Sequence, residues 1–138
     1  MSTDTTDPQA WMIAELQTLQ GVKSAIVATS DGMIITHSQG IDREHADRLA
    51  ATISGLISLG RAASENQEHR PLSQIALDYE GAMLLVTSVG QARNSLIATL
   101  TELGADIGLV TNTMATLAPS LASHLDVADR TTLTAPVR

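Results

Sequence analysis

Residues 22–38 read VKSAIVATSDGMIITHS. Two segments, 22–30 and 33–39, lie on either side of Asp31 and Gly32, and each is predicted to be a strand. An Asp-Gly pair is the favoured two-residue hairpin turn, because both central residues tolerate a positive φ angle. The sequence therefore predicts an antiparallel β-hairpin with a two-residue tip.

A helix is predicted on each side of this hairpin. Upstream, Asp7 can cap free N–H groups, Pro8 suits the first helical position and Gly21 ends the helix. Downstream, a second helix opens at Asp42 and runs to about Gln67. The first helix has apolar residues at helical spacing: Met12, Ile13, Leu16 and Leu19.

The C-terminal half predicts three further strands and a last helix. The strands cover residues 72–80, 82–89 and 94–100, and tight turns between them imply antiparallel pairing. The last helix runs over about 107–125, where Pro119 should kink it or break one hydrogen bond. The order is α-ββ-α-βββ-α, which predicts an α+β domain with helices covering both faces of the sheet. One stripe of the last helix is apolar: Met114, Leu117, Leu121 and Leu125.

The chain length predicts one domain with one continuous core. We expect a disordered N-terminal lead at residues 1–7, the domain at 8–125 and a flexible, Thr-rich C-terminal tail at 126–138. The N-terminus lacks the basic start and apolar stretch of a signal peptide, and no apolar run is long enough to insert into a membrane. These features predict a soluble, cytoplasmic protein.

Composition excludes several classes of function. The formal net charge is -7, so the surface disfavours nucleic acid and anionic lipid, which need clusters of Lys and Arg. The chain has no cysteine, which removes disulfides, thiolate catalysis and zinc-thiolate sites. Apolar residues make up 43% of the chain, enough for a packed core built almost without aromatic side chains.

The motifs of common enzymes and cofactor sites are missing. The sequence has no phosphate-binding loop, no glycine-rich dinucleotide fingerprint, no nucleophile elbow and no paired histidines of a metalloprotease. Its four histidines show no metal-ligand spacing, and Asp78 and Glu80 read as one exposed face of a strand. We therefore predict no catalytic residue, no cofactor and no metal site, so the chain is not expected to be an enzyme.

The second helix has two faces that need an explanation. One carries an ordinary apolar stripe directed at the core, from Ala46 to Ala63. The opposite face has small residues in its middle: Ala51, Gly55, Ser58 and Ala62. Glycine inside a helix costs roughly 0.5–1 kcal/mol relative to alanine, so a small-residue face indicates close approach of another helix, which in a dimer is its own copy. The alternative is an alanine-rich helix exposed to solvent.

Three segments of the sequence, taken in their order along the chain, resemble the roadblock family of dynein light chains and bacterial GTPase partners. The resemblance covers roughly residues 9–125 and is greatest to the branch found beside small GTPases in actinobacterial operons, which is similar to the gliding-motility GTPase regulator. The segments are the hairpin at 22–38, the start of the second helix at 41–51 with Ser54, Gly55 and Leu56, and the stretch Gly104 to Val110.

The resemblance implies a five-stranded antiparallel sheet with the second helix on one face and the first and last helices on the other. It also implies a homodimer formed through the second helix and the third strand. The interface residues that we expect on these two elements are Ala51, Gly55, Ser58, Ala62, Gln74 and Ala76.

The resemblance further implies a small Ras-like GTPase as partner, with other proteins of the same operon as further candidates. The expected GTPase contact is the exposed part of the paired second helices, at Arg48, Thr52, Leu59 and Arg61. Leu59 lies outside the main apolar stripe, so it either meets a partner or completes the edge of the core. An alternative function is a small-ligand sensor of the profilin-like or PAS-like kind, which has a similar outline of sheet and helices. The chain has only two aromatic residues to line a ligand pocket, which disfavours this alternative.

Overall fold

The computed structural model describes residues 7–89 and 94–134, with side chains described as far as residue 125. Its elements follow the predicted order α-ββ-α-βββ-α, which confirms the α+β class. They are α1 (Trp11–Gln17), β1 (Val22–Thr29), β2 (Ile34–His37), α2 (Arg43–Ser64), β3 (Ile75–Tyr79), β4 (Ala82–Val89), β5 (Ser95–Glu102) and α3 (Ile107–Thr134). None of the described helices is both long and apolar enough to cross a membrane.

The five strands form one antiparallel sheet in the order β2-β1-β5-β4-β3. The central pair is β1 with β5, so the first and last strands of the chain meet in the middle of the sheet. Side chains alternate between the two faces of a strand, and both faces of these central strands are apolar. The sheet therefore needs cover on each side, and the helices supply it.

One face of the sheet packs against α1 and α3. The predicted helical stripes are largely buried there: Met12, Ile13 and Leu16 from α1, and Met114 and Leu121 from α3, are at most 1% exposed. Leu19, Leu117 and Leu125 are partly buried at the edge of the same cluster. The two helices also meet through Trp11 and His124, whose rings are 5.4 Å apart in an edge-to-face arrangement.

The other face packs against α2 alone. The buried residues of α2 are Ala46, Ala50, Ile53 and Ile57, which confirms the core-directed stripe predicted from the sequence. They meet Ile26, Ala28, Leu84, Val86, Leu96 and Ala98 of the sheet. The arrangement of α2 on one face and of α1 and α3 on the other is therefore as expected.

The first hairpin turn is longer than predicted. The loop contains Ser30, Asp31 and Gly32, and it is closed by bonds from the Gly32 N–H to the Thr29 carbonyl and from the Thr29 N–H to the Met33 carbonyl. Gly32 has a φ of 97°, whereas Asp31 is not among the residues with positive φ. A three-residue loop needs a left-handed residue only at its last position, so the prediction of a two-residue turn was wrong.

The last helix is longer than predicted. It continues past Leu125 to Thr134, so residues 126–134 are helical where the sequence predicted a loose tail. These nine residues contain no glycine and no proline, and the next helix breaker is Pro136. Pro119 lies inside the helix without ending it. Its missing N–H leaves the carbonyl of Ala115 without the usual helical donor, on an exposed part of the helix that water can reach.

Three other boundaries shift by a few residues. The first helix begins at Trp11, and Asp7 instead holds the preceding turn, where its carboxylate accepts the N–H of Gln9 at 2.9 Å and the hydroxyl of Thr36 at 2.6 Å. The second helix ends at Ser64, and β3 begins at Ile75. Of the predicted N-terminal lead, residues 1–6 lie outside the described residues, as do residues 135–138 of the predicted tail.

Candidate functional site

The second helix is anchored firmly at its N-terminus. The Asp42 carboxylate accepts the backbone N–H of His45 at 2.8 Å, as the N-cap position requires. This hydrogen bond lowers the pKa of the Asp42 carboxyl, and contact with the His45 ring lowers it further. The next turn carries an exposed ion pair between Arg48 and Glu44 at 3.1 Å. A rigid helix of 22 residues, about 33 Å long, therefore lies across one face of the sheet.

The solvent-facing side of this helix, which we call the outer face of α2, carries the predicted small residues. Ala51, Gly55, Ser58 and Ala62 are all exposed. A Cβ atom placed on Gly55 would meet no atom of the protein within 4 Å. Nothing described within the protomer therefore requires glycine at this position.

Gly60 differs from Gly55 in this respect. A Cβ atom at Gly60 would lie 2.8 Å from a terminal methyl of Leu72 and 3.1 Å from a methyl of Ile75. The missing side chain lets the C-terminal half of α2 approach the start of β3. The same contact shows that α2 passes directly over this edge of the sheet.

Leu59 belongs to the outer face of α2 and not to the core. Its side chain is 70% exposed, which excludes the interpretation that it completes the edge of the core. It follows Gly55 by four residues and therefore lies one helical turn along the same side. Arg48 and Thr52 are exposed as well, and their helical spacing places them beside Leu59.

Arg61 is separated from the other three residues expected to contact a GTPase. Helical spacing places it about 120° from Gly55 around the helix axis, on the flank next to the sheet. Its side chain is half-buried there and takes part in a further interaction. The structure thus brings Arg48, Thr52 and Leu59 together with the small residues and leaves Arg61 apart.

The edge strand β3 lies beneath the C-terminal half of α2. In the described part of the chain β3 pairs with β4 on one side, and it is the last strand of the sheet. Its free edge can accept another strand. Ile75 and Leu77 pack towards α2, whereas Ala76 is exposed on the opposite side of the strand, and Gln74 lies half-buried just before it.

The histidines and carboxylates show no arrangement for catalysis in the described residues. Among 7–89 and 94–125, no three His, Asp or Glu side chains are close enough to share a metal ion. His37 contacts the Ser38 carbonyl at 2.9 Å, His45 contacts Asp42, and His124 packs on Trp11. Each of the three thus has a local structural contact.

The sequence reasoning missed a second exposed apolar region at one end of the sheet. Leu103 is 83% exposed and Tyr79 is 54% exposed, and both border a groove between the β3–β4 turn and the β5–α3 loop. The exposure of Leu103 could have been predicted from the sequence, because this leucine lies between Glu102 and Gly104 in a turn that needs no apolar residue.

Comparison with known proteins agrees with this architecture. The family model described as the Roadblock/LC7 domain matches residues 9–101, more than half of the chain. A Roadblock/LC7 domain from Streptomyces avermitilis is 29% identical, with a TM-score of 0.77 over 83% of this chain and 95% of that one. No curated protein sequence matches significantly.

Two more distant structures share the fold. MglB of Myxococcus xanthus is 12% identical, with a TM-score of 0.76 over 92% of this chain and 99% of that one. The gliding protein MglB from Thermus thermophilus is 16% identical, with a TM-score of 0.73 over 89% of this chain and 91% of that one. At these identities the likeness concerns the fold alone. Together with the family match over residues 9–101, the element order and the sheet topology establish that this chain belongs to the Roadblock/LC7 family.

Proposed function

We propose that this protein is a homodimeric, non-catalytic partner of a small Ras-like GTPase and modulates its nucleotide cycle or its location in the cell. The observation that carries the proposal is the outer face of α2. There Leu59 and Gly55 are exposed, a Cβ atom at Gly55 would have open space around it, and the C-terminal half of the helix packs over the edge strand β3. Such a face suits a flat, close contact between proteins.

Self-association follows from the spacing on α2. If two copies of α2 cross antiparallel around a two-fold axis at Gly55, a residue four positions after Gly55 lies opposite one four positions before it. Leu59 of one protomer then meets Ala51 of the other, which is small enough to receive it. A pairing of this kind removes Leu59 from water and uses the glycine for close approach of the two backbones.

The edge of β3 extends the same contact. Gly60 places the C-terminal half of α2 over Leu72 and Ile75, at the start of the edge strand β3. Two protomers that pair through α2 can also bring their β3 edges together, which protects an edge that would otherwise invite aggregation. Ala76 of β3 and Gln74 just before it are the interface residues proposed at this edge.

The GTPase contact is assigned to the rim of the paired helices. Leu59 is at the centre of the proposed dimer contact, whereas Arg48 and Thr52 lie nearer its border and remain accessible to another protein. The support for a Ras-like GTPase as the partner is the resemblance of the three sequence segments to bacterial GTPase partners. Arg61, on the flank, would reach such a partner only beside this rim.

Calorimetry tests the proposal directly. The full-length protein is titrated with the Ras-like GTPase encoded beside it, loaded either with GDP or with a non-hydrolysable GTP analogue. A GTPase switch changes shape with its nucleotide, so a regulator that touches the switch binds the two forms with different affinity. We expect at least a tenfold difference. Equal affinities for the two forms would indicate that the protein is a passive scaffold. If neither form binds, the proposal that a Ras-like GTPase is the partner is wrong.

A further inference from the structure

A groove lies at the end of the sheet, away from the outer face of α2. It is bounded by the β3–β4 turn, the end of β5 and the start of α3, and its volume is about 180 Å³. Met83 and Thr101 are paired across β4 and β5, and Met83 packs with the α1–α3 side of the core. The groove therefore opens on the side of the sheet that α1 and α3 cover, and α3 forms one wall with Ile107.

The groove is too small for an ordinary small-molecule ligand. Sites for such ligands are typically on the order of 300–1,000 Å³. A space of about 180 Å³ instead holds one or two apolar side chains. Two exposed apolar residues at its border, Leu103 and Tyr79, add apolar surface for a docked segment.

The charges around the groove have one sign. Asp78 and Glu102 line it, and no Lys or Arg is among its lining residues. Glu80 and Asp106 are exposed in the two adjoining turns, and Asp106 accepts the N–H of Leu109 at the start of α3. An apolar groove with an acidic rim is complementary to an apolar side chain flanked by Lys or Arg.

A second copy of the chain is not a suitable occupant of the groove. A second copy placed symmetrically over the groove would bring one acidic rim against another, which is unfavourable.

We infer that this groove binds a short segment of a different protein, in which one or two apolar side chains are flanked by Lys or Arg. The groove is a docking surface separate from the outer face of α2, and it does not depend on the function proposed above. A partner held here and a partner held at α2 contact opposite sides of the sheet.

A titration followed by NMR tests the inference on the full-length, ¹⁵N-labelled protein. The probe is a synthetic 12-residue peptide with two central leucines flanked by Lys and Arg, and the comparison peptide has Glu in place of every basic residue. We expect saturable shifts of the amides of Tyr79, Thr101 and Leu103 with the basic peptide alone, weakening as salt is added. Absence of saturable shifts there, or equal shifts with both peptides, would overturn the inference.

Charge reversal sharpens the test. The double variant Asp78→Lys with Glu102→Lys should bind the basic peptide at least tenfold more weakly and should acquire binding of the acidic peptide. The matched control, Glu44→Lys with Glu65→Lys, changes the net charge equally at exposed positions of α2 and should leave both affinities unchanged. An equal loss in the control would show a nonspecific charge effect and overturn the inference.

Two further measurements separate this groove from self-association. Gly55→Leu alters the outer face of α2 and should leave binding of the basic peptide unchanged, whether or not the protein dimerises. The single variant Glu102→Lys changes a groove residue outside β3, and it should keep the molecular mass of the wild type in light scattering. A lower mass for that variant would show that a second copy covers the groove, which contradicts the inference.

Discussion

At the scale of single residues, Thr99 is a buried polar residue on the face of the sheet that α1 and α3 cover. Its hydroxyl oxygen is fully buried and has no hydrogen-bond partner among the residues that the structure describes. A buried polar group without a partner costs about 1–3 kcal/mol, so Thr99→Val should raise the free energy of unfolding by about 1 kcal/mol in urea denaturation. The control is Thr101→Val on the same strand, where the hydroxyl donates to the Met83 carbonyl at 3.2 Å. That substitution should not stabilise the protein, and a gain at Thr101 as large as at Thr99 would contradict the explanation.

The contribution of Asp42, the N-cap of α2, to the stability of the protein depends on pH. Hydrogen bonding to the His45 N–H lowers the pKa of this carboxyl in the folded protein, so its contribution to stability is present above the ordinary carboxyl pKa and is lost as the pH falls through the lowered value. Asp42→Ser keeps a capping oxygen but removes the charge. We expect the melting temperature of the wild type to exceed that of the variant at neutral pH, and the difference to shrink as the pH falls below the ordinary carboxyl pKa of about 3.9. A difference that is constant with pH would show that the carboxylate charge is irrelevant.

At the scale of elements, the two glycines of α2 show what sequence pattern can and cannot resolve. Both stood out because glycine weakens a helix, yet they have different roles. Gly60 serves the contact with Leu72 and Ile75 inside the protomer, whereas Gly55 has open space around it. Helical spacing assigns a face to each residue but does not show which loop or strand crosses that face, so only the structure distinguishes the two.

The substitution Gly60→Ala tests the contact between α2 and β3. The new methyl group would lie 2.8 Å from Leu72, so the ends of Leu72 and Ile75 must shift, and overpacking of this kind costs about 1–3 kcal/mol. The better helix propensity of alanine offsets about 0.5–1 kcal/mol of this. We expect a net loss of about 1 kcal/mol in the free energy of unfolding. Gly55→Ala is the matched control. It should cause no loss at concentrations where the protein is monomeric, because its methyl group has open space within the protomer, and equal effects of the two substitutions there would contradict the assignment.

The order and type of the elements could be predicted from the sequence, but several of their ends could not. The helices and strands followed from strong local periodicity, as in the stripe from Met114 to Leu121. The hairpin loop was one residue longer than predicted because an Asp-Gly pair also suits a three-residue loop, in which only Gly32 is left-handed. The end of α3 was missed because the Thr-rich composition of residues 126–134 was given more weight than the absence of glycine and proline.

At the scale of the whole molecule, the candidate site was only partly predictable. Helical spacing was enough to assign the small residues of α2 to an exposed face. Leu59 could be assigned to the same face only from its exposure in the structure. The groove at the end of the sheet could not be found, because its walls come from the β3–β4 turn, β5 and α3, which are distant in sequence. Sites built from the ends of several elements leave no local pattern.

The oligomeric state is the most direct check on the outer face of α2. Light scattering coupled to gel filtration should give about twice the chain mass of 14.5 kDa for the wild type at micromolar concentration. Gly55→Leu should give a folded monomer, because the leucine holds two helices apart, whereas a Cβ atom at this position has open space within the protomer. Circular dichroism checks that the variant remains folded. If the wild type is a monomer, the proposed dimer is wrong. If the Gly55→Leu variant is still a dimer, the interface is not the outer face of α2.

The pairing at the centre of the sheet has a consequence for how the chain folds. Val27 of β1 lies beside Ile97 of β5, with roughly 70 residues of chain between them. Contacts of such long sequence separation form late, because closing a long loop costs chain entropy before any contact is gained. During synthesis, the edge of the apolar strand β1 that pairs with β5 therefore stays unpaired until β5 has left the ribosome. A chain that stops before residue 95 has no middle strand to close its sheet, and its exposed β1 edge is then a site for aggregation.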